Sequence, residues 1–148
     1  MSVQRLRDYV RGIEQAGEQL EKGRRQRGEE GGLTAEFPPV ILVLPGMLVS
    51  GHVVSGRGYN QLESASLEQA RRAADETGTE GSVANALVRL FREPTPEEVG
   101  SILEEDYEPE TIYLVDVSVV VGAGVSELPQ LEVDFDRVLG WALGELLA

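Results

Sequence analysis

Cysteine is absent from this 148-residue chain, and histidine and tryptophan occur once each. Without cysteine there are no disulfides, no thiolate metal sites and no thiol nucleophile, and the composition suits a reducing compartment. Long apolar runs are also missing. No stretch is long enough to span a membrane, and the opening MSVQRLRDYVRGIEQ carries charges where a signal peptide needs an apolar segment. A cytoplasmic protein without a membrane partner is the expectation. Positive charge is scarce beyond the first helix: between Glu93 and Asp136 there are thirteen acidic residues and no lysine or arginine. Residues 1–27 hold seven basic and four acidic side chains, against six basic and 22 acidic in the rest, for a net charge of −13. A body this acidic repels phosphate backbones, so nucleic acid is not an expected partner, and the acids read chiefly as a solvated face.

What is present points to a folded domain. Apolar residues make up 41% of the chain, enough for a core. Val3, Leu6, Val10, Ile13, Gly17 and Leu20 recur at helical spacing behind Ser2 as cap, predicting an amphipathic helix over residues 1–21. Its seam offers a route to self-association through a second copy of the helix. Residues 22–32, rich in glycine and charge, read as a flexible linker, leaving residues 33–148 as the core domain.

Val40–Leu44 is a run of five apolar residues, Pro45-Gly46 a turn signal, and Met47–Ser55 a β-branched return strand. Gly51 interrupts that strand, as a bulge or tight bend does. A helical insertion is predicted over about residues 64–106. Ser66 caps its first piece up to Glu76, Ser82 begins a second that ends at Pro94, and Thr95-Pro96-Glu97-Glu98 starts a third. A long strand follows from Thr111 to Val121, GAGVSELPQ reads as a loop, and Leu131, Val133 and Phe135 alternate with acids in another strand. A turn or bulge is expected at Arg137, and a short last strand between Val138 and Leu143. The expected fold is therefore α+β: a small, curved, mainly antiparallel sheet or partly closed barrel of four to five strands. An N-terminal helix precedes it, and the helical insertion separates its second and third strands.

Candidate chemistry is thin. His52 is the sole histidine, and its neighbours Ser50 and Ser55 lie outside any nucleophile elbow, so a strand histidine facing solvent or half-buried is the reading. The run Glu104-Glu105-Asp106-Tyr107-Glu108-Pro109-Glu110 lacks the ligand alternation of a calcium loop. Neither SGRGYN nor GAGVSEL makes a phosphate loop. No catalytic residue, cofactor site or metal site is assigned, and the chain reads as a non-enzymatic binding or assembly protein. Trp141 is expected to plug the core.

Two separated segments carry a family likeness. Gly46, Leu48, Val49, Ser50, Gly51, Val53, Val54, Ser55, Gly56, Tyr59 and Leu62 form the first; Ile112-Tyr113-Leu114 with Val138, Gly140, Trp141, Leu143 and Gly144 form the second. Together they resemble the signature of the gas-vesicle accessory family GvpU. The resemblance implies a role in building, organising or clustering gas vesicles, with vesicle shell or accessory proteins as partners. It marks Gly46, Leu48, Ser50, Gly51, Ser55, Gly56, Tyr59, Gly140, Trp141 and Gly144 as signature positions and assigns no reaction. A small Sm-like barrel that binds RNA is the alternative suggested by the helix-then-strands order.

Overall fold

The computed structural model describes residues 2–27, 37–76 and 95–146. Helix α1 (Val3–Arg27) is followed by strands β1 (Pro39–Leu44) and β2 (Met47–Val54), then helices α2 (Gly56–Glu76) and α3 (Pro96–Ile102). Strands β3 (Thr111–Val121) and β4 (Gly124–Asp134), a 3-10 turn over Phe135–Arg137 and strand β5 (Gly140–Leu143) complete the order. The five strands make one open antiparallel sheet, β4-β3-β2-β1-β5.

One face of the sheet is apolar because its strands alternate in register. Val40 and Leu42, Val49 and Val53, Ile112, Leu114 and Val117, Val133 and Trp141 all point into a single core. Leu6, Val10 and Ile13 of α1 pack onto them, and Phe135 and Val138 join the same cluster. The helix is locked at its start by the Trp141 indole, whose Nε1 donates to the Ser2 carbonyl at 2.8 Å. Trp141 thus plugs the core and also satisfies a backbone acceptor.

The expected bulge is present, with its extra residue on the other strand. Ser50 pairs with Ser118 and His52 with Val115, so Gly51 alone faces both Asp116 and Val117. Asp116 takes the left-handed conformation, φ 52°, to accommodate the surplus residue. A Cβ at Gly51 would come within 3.1 Å of the Val115 carbonyl oxygen, which is why a glycine stands there. The Pro45-Gly46 turn joins β1 to β2 with Gly46 at φ 75°.

Four boundaries differ from expectation. Helix α1 continues to Arg27, into the stretch read as linker, because Lys22 and its arginines are good helix formers. Helix α2 starts at Gly56, ten residues before Ser66, since Ser55 is the cap: its Oγ accepts from the Gly58 amide at 3.1 Å. The stretch GAGVSELPQ is a strand from Gly124 onward, joined to β3 by the two-residue turn Gly122-Ala123. Cross-strand pairing to β3 overrides its poor strand composition. The last strand begins at Gly140, after the 3-10 turn at Arg137. Thr95 caps α3 as expected, its side chain accepting from the Glu98 amide at 3.2 Å. The helix expected from Ser82 to Pro94 lies outside the described residues, as do positions 28–32 of the linker.

Candidate functional site

Past Ile13 the character of α1 changes. Glu14, Glu18 and Glu21 stand at i, i+4 and i+7, and all three are buried, at 4%, 3% and 3% exposure. Glu14 and Glu18 face the point where β2 runs into α2. Gly17 makes this close approach feasible: a Cβ there would meet Ser55 Cβ at 2.8 Å. The Glu18 carboxylate receives Arg57 in a two-point contact, Nη2 to Oε2 at 2.9 Å and Nε to Oε1 at 3.1 Å. Arg57 is itself only 4% exposed. Such a pair is strong once formed, yet taking both charges out of water offsets most of the gain.

Glu14 is treated differently. Its Oε1 accepts the Gly56 amide at 2.7 Å, the first N–H of α2. Among the described residues no donor reaches its second oxygen. Burial pushes the Glu14 carboxyl up to about 7 and the Glu18 charge adds to the rise, while the Gly56 hydrogen bond works against it.

A cleft of about 450 Å³ opens onto these groups. Glu14, Glu18, Gly56, Arg57 and Asn60 line one side, and Glu98, Ser101, Ile102, Tyr107 and Tyr113 the other. The phenols of Tyr107 and Tyr113 are pushed up to about 12, by burial first and then by the charge of Glu14. Both therefore stay protonated as donors at neutral pH. The α3 wall is held by Gln15, whose Nε2 donates to the carbonyls of Ile102 and Glu104 at 3.1 and 2.9 Å. That contact satisfies carbonyls left open at the helix end.

The positions that carry the family resemblance divide between this cleft and the scaffold. Ser55 caps α2, Gly56 lines the cleft, and Tyr59 is buried with its ring centroid 5.0 Å from that of Tyr113. A Cβ on Gly56 would come within 3.0 Å of the Tyr113 ring. Ser50 and Gly51 sit at the bulge, while Gly46 and Leu48 lie at the hairpin tip. Gly140 and Trp141 are on the β5 edge, and Gly144, at φ 134°, follows it. His52 is half-buried: its Nδ1 donates to the Phe37 carbonyl at 3.0 Å, and Nε2 faces Glu145 at 4.0 Å. Among the described residues no hydrogen bond joins it to Ser50 or Ser55.

Sequence patterning missed Glu14 and Glu18 because carboxylates on an amphipathic helix normally face water. One signal was available. Glu14, Glu18 and Glu21 keep the 4-3 spacing beside the apolar seam, whereas Leu20, assigned to the seam, is 45% exposed.

The basic face of α1 is also occupied within the molecule. Arg7 and Arg11 approach Glu108 at 3.6 and 3.9 Å, Arg11 bonds Asp8 at 2.8 Å, and the Arg7 guanidinium lies 4.9 Å from the Phe135 ring centre. The acidic stretch thus neutralises the helix instead of a partner's charges at these positions. Among the described residues no helix is long and apolar enough to cross a membrane. Compared with known proteins, the chain matches no family model, no curated protein and no solved structure.

Proposed function

We propose that this chain is a non-enzymatic accessory protein of gas-vesicle assembly, organisation or clustering, acting through protein–protein contacts in the cytoplasm. What supports the reading is the convergence of its two signature segments. Gly56 and Tyr59 come from one segment and Tyr113 from the other, more than fifty positions apart, yet they pack directly against each other. Residues that mark a family only as a spaced pattern therefore act as one structural unit beside the cleft.

The surface is compatible with macromolecular partners. Val43, Val121, Val125, Leu139 and Leu143 are large apolar residues with more than a third of their surface exposed, the kind of surface that protein contacts cover. Self-association through α1 is less favoured as a mode of contact, because Leu6, Val10 and Ile13 are already used against the chain's own sheet.

The test is co-sedimentation with buoyant vesicles in a vesicle-forming cell, paired with deletion of the gene. Enrichment in the vesicle fraction and altered vesicle number or clustering support the proposal. Absence from that fraction, with vesicles unchanged on deletion, overturns it. A small Sm-like RNA-binding module remains the alternative, weakened by the engagement of Arg7 and Arg11 with acidic neighbours. Tight, salt-dependent binding to short RNAs would restore it.

A further inference from the structure

The Glu14 carboxylate is buried on α1 where the apolar seam gives way to acids, and among the described residues its one hydrogen bond comes from Gly56. Glu18 beside it is matched by Arg57, but among the described residues no such cation pairs with Glu14. An ionised carboxylate in this position has lost much of its hydration and recovers little in return. Glu14 lines an open cleft of about 450 Å³, large enough for one extended side chain. Beyond Glu18, Gly56 and Arg57, the other cleft walls are two protonated phenols, an amide from Asn60, a hydroxyl from Ser101, the Ile102 side chain and a second carboxylate, Glu98. Aromatic rings next to a carboxylate are the surroundings that hold an organic ammonium or guanidinium. Among the described residues no three acidic or imidazole groups converge as metal ligands, so the donor set does not favour a metal ion.

We infer that the cleft between α1, α2, α3 and β3 is a receptor for one organic cation, a primary amine or guanidinium, seated against Glu14. Its geometry rests on these four elements, which bring a half-satisfied carboxylate into one cleft with Tyr107 and Tyr113. Glu18 and Arg57 form a fixed neutral pair beside the bound group and set the limit of the cleft on that side. The inference does not depend on the gas-vesicle proposal, and its failure would leave that proposal standing.

Binding should follow the charge of Glu14. The groups that face Glu14 are Glu18 on its own helix, Arg57 and the Gly56 amide from α2, Glu98 and Tyr107 from the α3 side, and Tyr113 from β3. Of the groups with a resolved shift, only Glu14 changes charge near neutrality, the tyrosines titrating near 12. Affinity should therefore rise by about tenfold between about pH 6 and about pH 8.

The experiment is an NMR or calorimetric titration of the full chain with n-butylamine and n-butylguanidine, with neutral butyramide as control. A second arm uses end-capped Gly-Lys-Gly and Gly-Arg-Gly peptides. The expected result is saturable binding of the cations and not of butyramide, with resonances of Gly56 and Tyr107 moving. Glu14→Gln, which keeps an acceptor for the Gly56 amide, should lose that binding while retaining its fold. Glu127→Gln, on the exposed sheet edge, should bind as the unaltered chain does. Capped peptides binding more tightly than free amines would assign the cation to a protein partner; the reverse would assign it to a small molecule. No saturable binding, equal binding by Glu14→Gln, or equal loss in Glu127→Gln would overturn the inference.

Discussion

Over its first turns α1 buries Leu6, Val10 and Ile13 against the sheet; over the next turns it buries Glu14, Glu18 and Glu21 on an adjoining stripe. The same helix thus does two physically opposite things. Its first half lowers the free energy of folding by removing apolar surface from water, at roughly 25 cal/mol per Å². Its second half takes carboxylates out of water, which costs free energy unless a partner restores what hydration supplied. Arg57 restores it for Glu18. Among the described residues Glu14 is left with one backbone N–H and a shifted protonation equilibrium. The first half is explained by stability alone. The second half is not, and this contrast locates the functional interest of the molecule.

The comparison can be broken most forcefully at the ion pair. Arg57→Met leaves Glu18 buried without its guanidinium and should cost about 4 kcal/mol, read by chemical denaturation. Replacing Glu18 with Leu in the same chain should recover most of that loss, because both desolvated charges are then gone. On the apolar half, Leu6→Ala should cost about 3 kcal/mol through lost burial and a cavity against Leu42 and its neighbours in the core.

Glu14 gives a pH signature that no residue of the apolar half can give. Its folded value, about 7, lies above the ordinary carboxylate value, so the folded state holds the proton more tightly than the unfolded chain. The stability this contributes is complete below the unfolded value and is lost as pH rises through about 7. Glu14→Gln should therefore flatten the fall in Tm between about pH 5 and pH 8, and stabilise the protein at the upper end by about 2–3 kcal/mol. An unchanged slope would show that Glu14 is not the group responsible.

Two smaller effects sharpen the boundary between the halves. Gly17→Ala should cost about 2 kcal/mol, since the added carbon meets Ser55 where α1 crosses the start of α2. Thr95→Ala should cost about 1 kcal/mol and loosen α3, the far wall of the cleft, as loss of a helix cap does. Amide exchange across residues 96–102 would detect it.

Much of the apolar half was legible in the sequence. Period 3.6 in Leu6, Val10 and Ile13 and period 2 along Thr111–Val121 each name a buried face, and the Pro45-Gly46 turn fixes how β1 meets β2. Gly51 pointed to a bulge because an interior strand glycine means that backbone or side chains come close. What stayed hidden depends on tertiary contact. A strand from Gly124 exists because β3 supplies its hydrogen bonds, and Ser55 is a cap because β2 ends there. Burial of Glu14 and Glu18 follows from where Arg57 and the α2 amides fall in space, and no local pattern states that. The serines and glycines of the family resemblance read as structural positions in the sequence, and Gly51 at the bulge and Ser55 and Gly56 beside the cleft do shape the backbone there.

The contrast between the two halves of α1 rests on the state of one carboxyl group. A carbon-13 NMR titration of the Glu14 side chain in the intact protein measures it directly. The expected midpoint is about 7, well above the ordinary glutamate value of 4.5. A midpoint at the ordinary value would mean that Glu14 is hydrated like any surface acid, and the contrast between the two halves of α1 would be gone.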